Sequence, residues 1–451
     1  MDEFSALSAE YSFEDSAFFV AYSGGVDSSV LLHLLTELAK KQTLMRLFVL
    51  HFDHDLQADS AKWRAFCKTI STQYGIEFHS SNKGIDFDKE IGLEASASRS
   101  RYQWFAETID AICSEEKFKN GVLMTAHHGD DQAETILMNM LRGTGLKGLR
   151  GIAEKRVWPE KSKYRQIILR PLLNFSKQEL RKYAKAEHLK WIEDPSNQDD
   201  RFRRNDLRQH VMPELKRIRA DAVQQMTKLS RRVADAEDLL TELAINDLAV
   251  TEQFEFCPLD GSFGLGLAGL RSFSVARQLN AIRCWLGLIG FPAESEMDLL
   301  KVLDWSINGA NSGAELRRGK RYYRYYQDTL YVMPLEYNVQ LLVLEKIFWS
   351  DSAKPLPVFQ ITDMNAGFDL HCSKDSQVFG KSLTITTIND IEGVCLPKGE
   401  GHIQAKKCFQ AAKVPPWRRS KALFVISEDN RFIELVGGQL QRHLSLQQML
   451  K

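Results

Sequence analysis

The sequence predicts an α/β protein: a doubly wound parallel-sheet N-terminal domain, then a mostly helical middle domain and a small α+β C-terminal domain. Three observations carry this. Short apolar runs alternate with helical patterns over the first two hundred residues, as in a parallel sheet covered by helices. After Pro213 apolar residues recur every three, four or seven positions, with no Gly or Pro until Pro258. The last hundred residues then return to short strand-like runs.

Taken in order, Ala17 to Tyr22 reads as a buried strand, and Val30, Leu31, Leu34, Leu35 and Leu38 follow at helical spacing. Leu47 to Phe52, Ile76 to His79 and Val122 to Ala126 are the next strands, with helices over Glu94 to Cys113 and Glu134 to Leu141. Ser176 and Glu179 form a capping box ahead of a helix over Lys177 to His188. These elements make a doubly wound α/β domain of residues 1–212. Leu215, Ile218, Ala222, Met226, Leu229, Val233, Leu240 and Leu243 then predict one helix of roughly 45 Å, long enough to bridge domains. It opens a helical and mixed domain of residues 213–335, and residues 336–451 form the last, with strands at Leu383 to Ile388, Leu423 to Ile426 and Phe432 to Val436.

The chain has 451 residues, 44% hydrophobic and 26% charged, which matches an ordinary globular protein with several cores rather than a disordered one. Basic and acidic side chains number 59 each, so no global field draws in a polyanion; nucleic-acid binding would need local patches. The seven cysteines are odd in number and scattered, without a Cys-x-x-Cys, which argues against a disulfide framework, a zinc site and a redox pair. The first fifteen residues lack a basic n-region and no run is apolar enough to span a membrane, so a cytoplasmic location is expected.

The sharpest motif is Tyr22-Ser23-Gly24-Gly25-Val26-Asp27-Ser28-Ser29, where a strand ends and a helix begins. The glycines permit a tight turn and close approach of backbone to ligand, the serines offer hydroxyls, and the free N–H groups of the first helical turn make an anion site. The Lys of a Walker loop is absent. Asp27 at the centre suits a site where a carboxylate supports Mg²⁺ beside phosphates; a strand-to-helix turn with Asp27 or Ser28 as cap is the plainer alternative. Ser-Gly-Gly-x-Asp-Ser resembles the pyrophosphate loop of the N-type ATP pyrophosphatases, which implies ATP cleavage between the α and β phosphates. Gly143-x-Gly145-x-x-Gly148 matches a dinucleotide fingerprint in form, but it follows a helix and not a strand.

Five further blocks narrow the resemblance: His51-Phe52-Asp53-His54-Asp55-Leu56; Gly92-Leu93-Glu94-Ala95 through Arg101-Tyr102; Thr125-Ala126-His127-His128-Gly129-Asp130-Asp131-Gln132-Ala133-Glu134-Thr135; Arg142-Gly143-Thr144-Gly145 with Gly148-Leu149-Arg150-Gly151-Ile152; and Glu193-Asp194-Pro195-Ser196-Asn197 with Phe202, Arg204, Asn205 and Arg208. In this order they closely resemble the tRNA(Ile)-lysidine synthetase family, in its long three-domain form, and the similarity resumes at Lys407 to Trp417. The resemblance implies an enzyme that joins L-lysine to the wobble cytidine of the CAU anticodon of an isoleucine tRNA, through an adenylated intermediate. ATP, Mg²⁺ and L-lysine are the implied small molecules, and a homodimer is left open. One departure is that the family usually carries an arginine where this chain has Ser98, beside Arg99.

Ligands of open parallel sheets bind at the carboxyl ends of the strands, so Ser23, Asp53 and His127 should share one crevice. On the resemblance, Ser23, Gly24, Gly25, Val26, Asp27, Ser28, Ser29, Asp53 and His127 are expected to bind ATP, with Asp27, Asp130, Asp131, Glu134 and Arg101 as catalytic candidates and Asp27 and Asp131 as Mg²⁺ candidates. Asp130 and Asp131 at a helix start are equally readable as caps. Adjacent histidines on a strand point to opposite faces, so His127 and His128 do not form a metal pair.

Three basic stretches are the expected tRNA contacts: Arg201 to Arg219, with Arg204 and Arg208; Arg317 to Tyr326, which combines five cations, among them Arg317, Arg318, Lys320 and Arg321, with four tyrosines; and Lys406 to Lys421, with Lys406, Lys407 and Trp417. The rivals are another tRNA-modifying enzyme such as a thiolase, which usually adds paired cysteines, and a non-catalytic tRNA or ATP binder.

Overall fold

The computed structural model describes residues 11–42, 44–53, 60–81, 86, 88, 92–158, 165–193, 203–251, 254–257, 260–291, 295–309, 314–318, 321–335, 341–343, 346–348, 356–361, 366–370, 382–386, 407, 409–410, 414–421, 423–427, 432–436 and 442–443. The chain divides into two compact units, Met1–Glu237 and Asp238–Lys451.

The first unit is a six-stranded sheet in the order β3-β2-β1-β4-β6-β5. Its strands are β1 (Ser16–Ala21), β2 (Arg46–Phe52), β3 (Glu77–Ser81), β4 (Asn120–Met124), β5 (Lys155–Val157) and β6 (Arg165–Leu169). β1, β2, β3, β4 and β6 are parallel, and β5 runs antiparallel to β6 at the edge. Because β1 is buried on both faces it reads as a continuous apolar run. Phe18 and Val20 pack with helix α1 (Val26–Lys41) through Leu31 and Leu35, while Ala17 and Phe19 face helix α3 (Leu93–Glu116) through Phe105 and Ile109. Helix α2 is Ser60–Gln73. From β1 the chain winds outward through β2 and β3, then returns to build on the other side of β1 with β4 and β6. The carboxyl ends of β1 and β4 therefore flank the switch point where such folds hold ligands.

Helix α4 (Gly129–Leu141) follows β4, then come a short turn α5 (Leu146–Leu149) and helix α6 (Lys177–Ala186), whose Ser176–Glu179 capping box is present. The long predicted helix is interrupted. A π-helical turn over Leu207–Val211 separates α7 (Arg203–Asp206) from α8 (Met212–Ile218), and Arg219 is extended before α9 (Ala222–Ala249) begins. The division between the units falls inside α9 and not at residue 212. Val223 and Met226 pack with Ala133 of α4, whereas Leu248 belongs to the core of the second unit.

In the second unit, helices α10 (Val275–Leu288) and α11 (Glu296–Asp304) share a core around Trp285 with an antiparallel sheet. That sheet is ordered β19-β7-β8-β11-β10-β9, where β7 is Phe254–Cys257, β8 Ser262–Gly266, β9 Glu315–Arg318, β10 Arg321–Tyr326, β11 Thr329–Pro334 and β19 Arg442–His443. Two smaller antiparallel sheets hold β12 (Leu341–Val343), β14 (Leu356–Ile361) and β15 (Ala366–Leu370), and β13 (Lys346–Phe348), β16 (Ser382–Thr386), β17 (Leu423–Ser427) and β18 (Phe432–Val436), the last three near the expected positions.

Candidate active site

The phosphate loop is built by its own serines. Ser28 Oγ donates to the Gly25 carbonyl at 3.0 Å and lies 3.1 Å from Ser23 Oγ, and the Ser23 N–H points to Ser28 Oγ at 3.3 Å. Ser29 is tied to the Tyr22 hydroxyl at 3.3 Å. Gly24 has φ +83°, and a Cβ there would sit 3.0 Å from the Cys67 sulfur, so the position needs glycine on both counts. Its carbonyl accepts the Ile192 N–H at 2.9 Å. Gly25 is the N-cap of α1 with no side-chain cap bond, which leaves the first-turn amides of α1 available to an anion.

Across the switch point, His128 is the N-cap of α4. Its Nδ1 accepts the Asp131 N–H at 3.4 Å, while Asp131 Oδ2 accepts the His128 N–H at 3.0 Å, a reciprocal capping box. His128 Nε2 lies 3.6 Å from Asp27 Oδ2 and 3.5 Å from Asp131 Oδ2, joining the loop to α4. Burial disfavours a charge on His128, but the surrounding carboxylates of Asp27, Asp131 and Asp130 outweigh it and hold its pKa above the ordinary value. His127 points elsewhere, as expected for adjacent residues at a strand end. Its Nδ1 bonds Thr125 Oγ1 at 2.9 Å, and burial pushes it down to about 4, so it is neutral near pH 7.

The carboxylates of α4 are all engaged. Asp130 takes the Lys216 ammonium at 2.5 Å and the Lys177 N–H at 2.8 Å, and these partners overcome burial to lower its pKa. Glu134, only 1% exposed, accepts from Arg204 Nε at 2.8 Å and Arg208 Nε at 2.8 Å. Arg204 also reaches Asp131 Oδ1 at 3.0 Å. Burial again works against the Asp131 charge, and His128 and Arg204 hold its pKa down regardless. Arg204 and Arg208, placed by sequence among tRNA contacts, are thus directed inward to Glu134 and Asp131. Asp53 ends β2 as anticipated and pairs with Arg64 at 3.0 Å.

Arg101 stacks over Tyr102 with its guanidinium 5.4 Å from the ring centroid. Arg99, beside Ser98, turns to Asp88 at 3.1 Å and Asp86 at 3.7 Å. Sequence reasoning missed Arg170. It follows β6 at the same carboxyl edge as His127, is 7% exposed, bonds the Ala153 carbonyl at 2.5 Å and pairs with no carboxylate among the described residues. The Arg-flanked run around Ile167 and Ile168 was the available signal for its strand. Gln132 was also missed. Buried in α4, its amide donates to the Ile152 carbonyl at 3.1 Å and to Ser230 Oγ at 2.7 Å, and its oxygen accepts the Ile152 N–H at 2.5 Å. It thereby holds the Gly148–Ile152 block against α4.

In the second unit Arg317 is exposed and Arg318 lies 3.8 Å from Asp298, but Arg321 is only 7% exposed and stacks over Phe291 at 5.0 Å. Trp417 packs edge-on to Tyr326 and Tyr331 under the Arg324 guanidinium, and Lys407 is exposed. Lys320 and Lys406 lie outside the described residues.

The donor set near the loop fits a divalent cation at one carboxylate. Asp27 Oδ1 is buried with no hydrogen-bond partner, while both Asp131 oxygens are already engaged. Mg²⁺ is commonly held by one or two carboxylates together with substrate phosphates and water. Among the described residues no group of three His, Cys, Asp or Glu side chains could cage a metal by itself.

A lysine-free serine and glycine loop at the switch point of a doubly wound sheet defines a PP-loop ATP pyrophosphatase, and residues 2–215 match the PP-loop domain family. Residues 265–331 match the TilS substrate binding domain. The tRNA(Ile)-lysidine synthase of Photorhabdus laumondii is 32% identical over 406 residues, covering 89% of this chain and 86% of that one. That of Histophilus somni is 31% identical over 427 residues, covering 93% and 94%, and that of Pseudomonas aeruginosa is 40% identical over 271 residues, covering 59% and 58%. The chain belongs to the tRNA(Ile)-lysidine synthase family.

Proposed function

We infer that the chain ligates L-lysine to C2 of the wobble cytidine in the CAU anticodon of isoleucine tRNA, consuming ATP and releasing AMP and pyrophosphate. The observation that carries this reading is the approach of the phosphate loop to α4 through Asp27 and His128, which puts an anion cradle and a carboxylate with a spare oxygen in one crevice.

The cytidine ring oxygen is a poor leaving group. Its attack on the α-phosphorus of ATP forms an AMP ester, and the lysine ε-amine then attacks C2 and expels AMP. Ser23 through Ser29 hold the β and γ phosphates through backbone N–H groups and hydroxyls. Asp27 would hold Mg²⁺ at Oδ1; the cation, when bound, neutralises charge on the leaving pyrophosphate. His128 positions Asp27, and Arg101 and Arg170 supply positive potential beside His127, in place of the arginine missing at position 98. The attacking amine must lose a proton, and a carboxylate beside the loop is the acceptor. A tRNA substrate agrees with a cytoplasmic site of action, and no helix of the described residues is long and apolar enough to cross a membrane.

The test uses ATP labelled at the α-phosphate, an isoleucine tRNA transcript with a CAU anticodon and labelled lysine. AMP release and lysine incorporation that both require the tRNA support the reading. Binding of ATP and tRNA without any AMP release sinks it in favour of a non-catalytic binder.

A further inference from the structure

The first unit contains a second charged feature beside the phosphate loop: a cleft of about 560 Å³ between α6 and α8. Lys177, Arg181, Lys182 and Lys185 line it from α6, with Lys216 and Arg208 opposite, and only Asp130 and Glu134 supply negative charge. Those two carboxylates are already neutralised by Lys216 and by the Arg204 and Arg208 guanidinium groups. Arg181 leans to Glu193 at 3.4 Å, but Lys177, Lys182 and Lys185 have no carboxylate partner among the described residues.

The placement of α6 gives these lysines no other use in the fold. Leu180 and Ala184 bury a neighbouring face of the helix in the first unit's core, and Tyr183 packs against it. Lys177, Arg181 and Lys185, four residues apart, form one stripe about 12 Å long on the open side. Like charges at that spacing destabilise a helix by a few tenths of a kcal/mol per pair. A bound polyanion reverses the sign of that interaction.

We propose that this cleft binds the sugar-phosphate backbone of the substrate RNA next to the base being modified. The proposal rests on the reading of the chain as a tRNA-modifying enzyme. The cleft repels an ammonium group, so free lysine is a poor occupant, and the nucleotide's phosphates already have the loop after β1. An elongated row of cations, whose lysines have no carboxylate partner among the described residues, fits successive phosphates of one strand. Asp130 links the two places: it floors the cleft, and its Oδ2 is 3.9 Å from His128 Nδ1, whose other nitrogen meets Asp27. A strand lying in the cleft therefore passes beside the phosphate loop. A neutral chain requires such a local patch, because it has no net field to hold a polyanion.

The experiment measures binding of the CAU-anticodon isoleucine tRNA to the full chain between about 50 and 200 mM salt. The proteins are wild type, the triple variant Lys177→Gln, Lys182→Gln, Lys185→Gln, and its counterpart with arginine at all three positions. The glutamine variant is expected to bind roughly tenfold more weakly, with a salt slope shallower by about two to three. Its KM for tRNA rises while kcat at saturating tRNA holds, and the arginine variant restores both affinity and slope. Wild-type affinity and slope in the glutamine variant overturn the proposal, and so does a raised KM for ATP with tRNA binding intact, which would assign the cleft to nucleotide phosphates. A wild-type chain that binds tRNA but never incorporates lysine instead sinks the functional reading, and the binding data still judge the cleft.

Discussion

His128 Nε2 lies 3.6 Å from Asp27 Oδ2, so the cap of α4 and the central carboxylate of the phosphate loop are held together by one imidazole. The loop and α4 are encoded about a hundred residues apart, and their carboxylates would otherwise repel. With both Asp131 oxygens engaged, Asp27 carries the spare oxygen of this cluster.

Asp27→Ala is expected to lower AMP formation at least about 100-fold, the scale typical of removing one preorganised electrostatic group. Asp27 is partly exposed and bonds no backbone atom among the described residues, and His128 keeps Asp131 when Asp27 is removed, so the melting temperature should stay near wild type. Near-normal AMP release from labelled ATP would remove Asp27 from the chemistry.

Arg204→Ala or Arg208→Ala leaves the buried Glu134 short of a partner. Breaking a buried pair costs about 3–5 kcal/mol, and the arginine that remains brings the expected loss toward the lower end. Urea unfolding monitored on the full chain checks it. Stability equal to wild type together with weakened tRNA affinity would return these arginines to the RNA surface.

Gln132→Leu keeps the side-chain volume but strands the Ile152 N–H and the Ile152 carbonyl, while the Arg150 carbonyl keeps the Ser230 hydroxyl. Leaving buried polar groups unpaired costs about 1–3 kcal/mol each, so a destabilisation of at least about 2 kcal/mol is expected. Gly151→Ala should also destabilise, since Gly151 has φ +66° and an added Cβ would meet Gln132 Oε1 at 2.5 Å. Thermal melts of the two variants, with unchanged unfolding for either as the contrary result, test the clamp.

His127 supplies the pH prediction. Its folded pKa, about 4, lies below that of the unfolded chain near 6.5, so the unfolded state binds more protons between those values and stability falls as the pH drops through that window. The slope from this group is at most about 1.4 kcal/mol per pH unit. His127→Gln, which can still bond Thr125, should flatten the melting-temperature profile between about pH 4 and 6.5. A wild-type slope in that variant would show that other groups set the acid sensitivity.

Much of the first unit was legible because its signals are local. The apolar runs of β1 and β2, the glycines of the loop and the Ser176–Glu179 capping box each depend on neighbouring residues. The strand β6 was overlooked, and with it went Arg170. The roles of Arg204 and Arg208 were not legible either, since a cation run looks alike whether it faces RNA or a carboxylate seventy residues away. The break at Arg219 has the same character: periodicity continues through it although the backbone there is extended.

The bond from the Ile192 N–H to the Gly24 carbonyl also constrains the order in which the protein is made. A ribosome has translated the phosphate loop long before Ile192 emerges, so the nascent loop lacks its closing contact for most of the synthesis of the first unit. Contacts of such sequence separation form late and slow the folding of the chains that depend on them. ATP affinity should accordingly appear only after the segment around Ile192 has been released, and nascent chains halted before it would be expected to leave cellular nucleotide untouched.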